Sequence, residues 1–335
     1  MNVARVPVSP LLTIAIPTYN RARYLERSLA ALADQFPPEV QVELIVSDNA
    51  SSDETASVVE RFESGGLPLR YLRNSSNLGP DTNILQCYEQ ARGKYVWIMG
   101  DDDFVRPGGI ARVLSHLRDQ EYDLLYVASV GFKDSSLPST QVPDLGFEVF
   151  ERADLLARRV NIFFTFISGN IVNKHRVSSV PHRPFSELVG TYLTQLGWIY
   201  AAVDNHRRSL VIRDQIVATL TDNTGGYRLF QVFGPNLKRI TEERIRSSSV
   251  SRAVLNGALL RFFPTFLLLQ KEQIGDFVHE DPHQILAQAF GGNYRYWLFD
   301  FPIIRMPRPL ARGWFLIVRV VSQADKMMGS PLLGL

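Results

Sequence analysis

Short apolar runs alternate with amphipathic stretches along the first hundred positions of the chain. Leu11 to Ile16 (LLTIAI) stops at Pro17 and reads as a buried strand. From Arg21 to Asp34 the leucines 25, 29 and 32 recur at helical spacing. Glu43 to Val46 (ELIV) is a second buried strand, ending at the polar group Ser47-Asp48-Asn49. Asp53 offers an N-cap for a helix through Val58, Val59 and Phe62. A third strand, Leu69 to Leu72, ends at Arg73-Asn74, and a third helix is predicted from Asp81 to Arg92. The fourth strand, Tyr95 to Met99, runs straight into Gly100-Asp101-Asp102-Asp103. Strands separated by helices of this length predict βαβ units, hence an α/β fold with a mostly parallel sheet flanked by helices.

Beyond Pro107 the pattern loosens. It predicts a helix at Ile110 to Leu117, a strand at Asp123 to Val130 and a Pro/Ser-rich loop from Asp134 to Asp144. A strand at Ile167 to Asn173 and a helix from Glu187 to Ala202 follow, and from Gln231 onward the chain is chiefly helical.

Composition narrows the function. The 335 residues are long for one core, and 45% hydrophobic with 21% charged content is that of an ordinary globular protein. A formal charge of +2 carries no footprint of a nucleic-acid partner. The single cysteine, Cys87, excludes an internal disulfide and any multi-cysteine metal site, and suits a reducing compartment. MNVARVPVSP lacks the apolar core of a signal peptide, so the expectation is a cytoplasmic enzyme. No G-x-G-x-x-G, G-x-x-x-x-G-K-[ST] or G-x-S-x-G is present, which counts against dinucleotide dehydrogenases, P-loop NTPases and serine hydrolases of the elbow type.

Ligands of such sheets bind outside the carboxyl ends of the strands. Here those ends carry Thr18-Tyr19-Asn20, Asp48-Asn49, Asn74 to Gly79 and Asp101 to Asp103. Three adjacent carboxylates repel one another, and a divalent cation shared with substrate phosphates relieves that conflict. The alternative is a solvated acidic turn or a cap for the helix near Pro107. Asp48 suits the hydrogen-bonding edge of a base or ribose, or else turn chemistry. Tyr19 suits stacking on a base, or else half-buried packing.

In order and spacing, PTYN at 17–20, SDNASSDET at 47–55, NLG at 77–79 and GKYVWIMGDDD at 93–103 followed by Pro107 resemble the family 2 glycosyltransferases of GT-A (Rossmann-like) fold. The resemblance covers roughly residues 10–130. NLG, Asn83 and GDDD together are most similar to bacterial transferases of O-antigen deoxysugars, such as abequosyltransferases. It implies a nucleoside-diphosphate sugar donor, a divalent cation (Mg²⁺ or Mn²⁺) and inversion at the anomeric carbon. Thr18 and Tyr19 would lie at the nucleobase, with Asp48 accepting from its ring N–H, and Pro17 and Asn20 would belong to the same donor site. Asn77, Gly79 and Asn83 would complete the donor site, and Asp101 and Asp102 would reach the ribose or sugar. Asp103 would be the main metal ligand, with Asp101 the second. An Arg common in the family just before Asn83 is here Thr82.

The family's general base falls in the stretch Phe185 to Leu193, where Glu187 is the one carboxylate and the expected catalytic base. Its alternative is to complement a helix N-terminus. Asp204 and His206 are the substitutes, His206 also as a late metal ligand. Ser168-Gly169-Asn170 would shape the sugar pocket, or form a simple turn. Asp222 to Tyr227 is a glycine-rich candidate lid, or an ordinary exposed loop.

These readings divide the chain into a nucleotide-sugar half (1–130), an acceptor half (131–230) and a helical C-terminal region (231–335). The apolar run 258–270 falls short of the roughly 20 residues that span a bilayer. Residues 310–321 place Leu310, Trp314, Val318 and Val321 on one helical face among Arg305, Arg308, Arg312 and Arg319. That suits peripheral contact with the inner face of a membrane, or packing on the protein's own body or a second subunit in a homo-oligomer. The acceptor is a hydroxyl on a glycan, a lipid-linked sugar or a secondary metabolite. Two rival functions stay open: a nucleotidyltransferase, although PTYNRARYLE lacks its glycine-rich loop, and a non-catalytic nucleotide- or sugar-binding protein.

Overall fold

The computed structural model describes residues 9–36, 42–133, 142–221, 226–275 and 278–328. The candidate lid at Asp222 to Gly225 and most of the Pro/Ser-rich stretch lie outside them. The chain forms two compact units, one of Met1–Glu151 with Phe166–Thr221, the other of Arg152–Thr165 with Asp222–Leu335.

In the first unit, strands β1 (Leu12–Thr18), β2 (Val42–Asp48), β3 (Leu69–Arg73) and β4 (Tyr95–Ile98) alternate with helices α1 (Ala22–Ala33), α2 (Thr55–Ser64) and α3 (Pro80–Gln90). The four strands lie in the order β3–β2–β1–β4, all parallel, with Thr18 opposite Asp48 and Asp48 opposite Arg73. Helices on both faces leave no solvated side to such a sheet, which is why these strands are continuous apolar runs. Leu12, Ile14, Ile16, Leu44, Val46, Tyr95 and Trp97 meet Leu25, Leu29 and Leu32 of α1 in one buried cluster.

The second half of this unit continues the sheet. After β5 (Phe104–Val105) and α4 (Gly109–Asp119) come β6 (Leu124–Phe132), β7 (Phe147–Phe150), β8 (Asn170–Asn173) and β9 (Ser209–Leu220). β8 pairs antiparallel to β4 and to β6, and β9 runs parallel to β6 and antiparallel to β5 and β7. The result, among the described residues, is a mixed sheet of nine strands.

Three local expectations differ from the structure. Asp53 does not cap α2 from the N-cap position; its Oδ1 accepts from the Thr55 amide and hydroxyl, and its Oδ2 accepts from the Ala22 amide at 2.9 Å. It therefore ties the start of α2 to the start of α1. Residues 187–202 are not one helix. A 3₁₀ turn (Phe185–Leu188) is followed by a turn with φ +90° at Gly190 and +61° at Tyr192, then by a short helix, Leu196–Asp204. Ile167–Gly169 is a 3₁₀ turn that leads into β8.

The second unit is helical. A segment at Ala153–Val160 packs beside Ser248–Gly257. Gly257 is required there, since a Cβ would lie 2.5 Å from that of Asn161. The apolar run 258–270 belongs to a longer helix, Ser248–Glu272, whose 25 residues and mean hydropathy of 1.4 meet the measure of a membrane-crossing helix. Half of its most apolar window is buried within the protein, and Arg261 inside it pairs with Asp325 at 2.5 Å. The last described helix is Arg308–Met328.

Candidate active site

The carboxyl ends of β1, β2 and β4 form a continuous polar rim. Asp101 follows β4 and is almost wholly buried. Its Oδ2 accepts from the Thr18 hydroxyl at 2.8 Å, and its Oδ1 lies 3.2 Å from Nε of Arg21. The same guanidinium donates through Nη2 to Asp102 at 2.8 Å. Arg21 thus supplies the positive charge that two of the three carboxylates need. Burial alone would lower this guanidinium, yet Asp101 and then Asp102 hold it above its ordinary value.

Among the described residues Asp103 has no such partner. Ser168 Oγ donates to its Oδ2 at 2.5 Å, and Thr219 also bonds to it. Burial, and next the charge of Asp102, push the Asp103 carboxyl up to about 7 against those two hydrogen bonds. Burial also pushes Asp101 up to about 7, against the pull of Arg21 and Thr18. Ser168 is itself held firmly: it accepts from the Gly100 amide at 2.9 Å, and its carbonyl accepts from Trp97 Nε1 at 2.9 Å. Ser168 is therefore a support of the acidic end of β4. Gly169 beside it is needed because a Cβ would meet Phe166 and Tyr126 below 3.0 Å.

Asp48 is fully buried at the end of β2. Its Oδ1 accepts from the Ser51 amide at 2.8 Å, and its Oδ2 accepts from the Tyr71 hydroxyl at 2.6 Å with Arg73 Nε at 3.5 Å. Burial and the bond to Asp48 push the Tyr71 hydroxyl up from its ordinary value. Asn20, at φ +53°, accepts the Ser52 amide through its side chain while its own amide donates to Ser51 Oγ, so the first two strand ends are stitched together. Tyr19 is exposed next to them.

Asn49 holds the third rim segment. Its Nδ2 donates to Asn77 Oδ1 at 2.7 Å, and its Oδ1 accepts from the Leu78 amide at 2.9 Å. Gly79, at φ +84°, turns the chain into α3. Asn83 lies beneath, buried, accepting from Ser47 Oγ at 2.7 Å and donating to Ser47 O at 2.9 Å and Thr18 O at 3.5 Å. It braces the ends of β1 and β2 from below the rim, with its amide spent on them.

The acceptor-side residues fall differently. Glu187 is exposed on its 3₁₀ turn and pairs with Arg183 at 2.9 Å. What reaches the rim is the turn after it: Asp81, at the head of α3, accepts the amides of Gly190 and Tyr192 at 2.7 and 2.8 Å. Burial keeps the Asp81 carboxyl above its ordinary value even against those backbone donors. Asp204 and His206 precede β9, whose start lies beside the start of β6, where Asp123 accepts the Arg207 and Arg208 amides. Both are thus placed at the amino ends of the strands, the edge opposite Asp101 to Asp103. Burial lowers the His206 imidazole.

Whether these groups fit a cation can be judged from their donors. Among the described residues no three His, Cys, Asp or Glu side chains converge as a ready-made metal cage. Mg²⁺-type sites at phosphates, however, use one or two carboxylates and take the rest from substrate and water. A buried Asp103 facing no cation fits that role.

A sheet whose parallel β3–β2–β1–β4 part carries Asp48 at one strand end and Asp101 to Asp103 at another, with Thr18 between them, defines a nucleotide-sugar-type domain of GT-A fold. The matches agree with it. The model for glycosyl transferase family 2 matches residues 13–176, so the chain carries a domain of that family. The abequosyltransferase of Salmonella typhimurium is 39% identical over 111 residues, 33% of this chain and 33% of that protein. This chain thus spans about a third of that relative. The GalNAc(5)-diNAcBac-PP-undecaprenol β-1,3-glucosyltransferase of Campylobacter jejuni is 25% identical over 245 residues, 71% of this chain and 76% of that protein. In fold, the chain is similar to Staphylococcus aureus TarS 1–349 in complex with UDP-GlcNAc, with a TM-score of 0.61 at 18% identity over 95% of this chain and 92% of that one.

Proposed function

We propose that the first unit binds a nucleoside-diphosphate sugar across the β1, β2 and β4 ends and transfers the sugar, with inversion, to an acceptor hydroxyl. The observation that carries this reading is the Asp101-Asp102-Asp103 cluster, buried at Asp101 and Asp103, in which Asp103 alone faces no cation among the described residues. Asp103, with Asp101 beside it, would hold a divalent ion. When bound, that ion takes up negative charge on the departing diphosphate. Arg21 pairs with both Asp101 and Asp102 and fixes the direction of their carboxylates. Thr18 and Ser168 hold the outer carboxylates of the triplet at set positions. Tyr19, exposed at the first strand end, offers a ring face to the base, and the Asn49–Asn77 network fixes the loop that leads into the head of α3.

The acceptor hydroxyl needs a base, and Glu187 is the carboxylate we assign to it. To act it leaves Arg183. The name of the Campylobacter jejuni relative speaks for a lipid-linked sugar as acceptor.

Thermal unfolding against UDP, CDP, GDP and dTDP, each with and without Mn²⁺, tests the donor reading. A diphosphate at 100 times its dissociation constant stabilises the fold by about 2.7 kcal/mol. One nucleotide should do so only with Mn²⁺, and Asp103→Asn should lose that response. No shift with any of the four would refute it. Turnover of Glu187→Ala equal to that of the native protein would move the base elsewhere.

A further inference from the structure

Helix Arg308–Met328 buries one narrow side and leaves the other without cover. Ala311 and Val318, seven residues apart, are its fully buried positions. At about 100° per residue, Leu310, Leu316, Ile317 and Val320 cluster on the opposite side. Each is more than half exposed, at 62%, 59%, 52% and 65%. Four large aliphatic side chains on one exposed face exceed what a solvated helix needs. The patch extends onto the neighbouring segment: Trp314 Nε1 donates to the Leu298 carbonyl at 3.1 Å, and Leu298 and Trp297 are themselves exposed.

The charge carried by this stretch of the chain has one sign. From Phe301 to Ala324 the chain has four arginines (305, 308, 312 and 319) and no Asp, Glu or Lys. All four are exposed. Arg312 is taken up by Glu272, and Arg308 Nε donates to the Lys271 carbonyl at 3.1 Å. Arg305 and Arg319 meet no carboxylate within ion-pair distance among the described residues. Arg319 lies over Phe315, at the flank of the apolar stripe.

We propose that this face lies in the plane of an anionic lipid surface, with its aliphatic stripe among the acyl chains and its arginines at the headgroups. Charge selects this occupant over a second copy of the chain. Self-pairing of the face about a two-fold axis would set the same arginine-lined flanks against each other. A lipid surface instead supplies a negative charge for Arg305 and Arg319. Trp297 and Trp314, with an apolar ring and a bonded indole N–H, suit the boundary between the two zones.

Flotation of the full chain with vesicles tests this without any nucleotide, so its outcome is separate from the donor reading. The chain should float with vesicles containing about one-third phosphatidylglycerol, and much less with pure phosphatidylcholine or at high salt. Each arginine removed should weaken partitioning about five-fold, and Arg305→Gln with Arg319→Gln together about 25-fold. Ile317→Glu with Val320→Glu should abolish it. Both pairs are exposed, so an unchanged unfolding midpoint shows that the fold persists. Equal partitioning into neutral and anionic vesicles, or no loss from either pair, would overturn the proposal. A dimer dissolved by Ile317→Glu would also overturn it and assign the face to a second copy.

Discussion

Replacing Asp103 by Asn should stabilise the metal-free protein, and by an amount that depends on pH. The Asp103 carboxyl is raised from 3.8 to about 7, chiefly by burial. Below about pH 4 the folded and unfolded chains both carry this proton, and the side chain adds no pH dependence. Between about pH 4 and 7 the folded chain keeps a proton that the unfolded chain has released, so stability falls as pH rises. Above 7 the whole penalty is present, on the order of 4 kcal/mol for a difference of this size at about 1.4 kcal/mol per pH unit. Asparagine keeps the oxygen that accepts from Ser168 and never ionises. Urea unfolding of both proteins at pH 5 and pH 8, without divalent metal, isolates the effect as the difference between them. Asp103→Asn should gain several kcal/mol over the native chain at pH 8, and much less at pH 5. The same difference at both pH values, or a variant weaker at pH 8, would mean that the native carboxylate has a counter-charge the structure does not place there.

Three further outcomes follow from single contacts in the first unit. Gly93→Ala should destabilise the first unit by about 1–3 kcal/mol, because its Cβ would lie 2.5 Å from the backbone nitrogen of Thr13 in the central strand; a native denaturation midpoint would contradict that packing. Asp81→Ala strips the acceptor from two turn amides, which should lower stability by about 1–3 kcal/mol and speed amide exchange at Gly190 and Tyr192; unchanged exchange would show the turn held by other contacts. Arg21→Ala leaves Asp101 and Asp102 facing each other without a cation. It should lose about 1–3 kcal/mol at pH 8 and less at pH 5, where Asp101 carries its proton, and a loss that grows toward acid pH would reverse the assigned sign.

The first four strands and three helices are legible in the sequence because each is buried on a regular period and each strand stops at a polar cluster. The same regularity pointed to the rim, since Thr18, Asp48 and Asp101 all sit two positions past the end of an apolar run. β9 was missed because Arg213-Asp214-Gln215 interrupts its pattern. In the structure that interruption is an irregularity in the pairing: the register with β6 shifts there, Gln215 takes φ +46°, and Asp214 accepts the Leu145 and Gly146 amides and pairs with Arg112. The helix expected over 187–202 failed for a similar reason. Apolar periodicity continues across it, but Asp81, over a hundred positions away in sequence, pulls the Gly190 and Tyr192 amides out of any helical ladder. Gly190 was the local signal for that break. Arg21 carried no signal of its own, because its task is defined only by two aspartates brought to it by the β1–β4 pairing. Ser168 was read as part of the sugar pocket, and its bond to Asp103 depends on where β8 docks.

The docking of β8 on β4 also bears on synthesis. When the ribosome has released the residues through Asp103, the acidic strand end exists in sequence, but its Ser168 and Thr219 partners do not yet, and β4 is an edge with unpaired amides. Such an edge invites pairing with another nascent chain. The last partner of Asp103 arrives 116 positions later, with β9. A half-length product would therefore present an open β4 edge and an Asp103 still without its two hydrogen-bond partners.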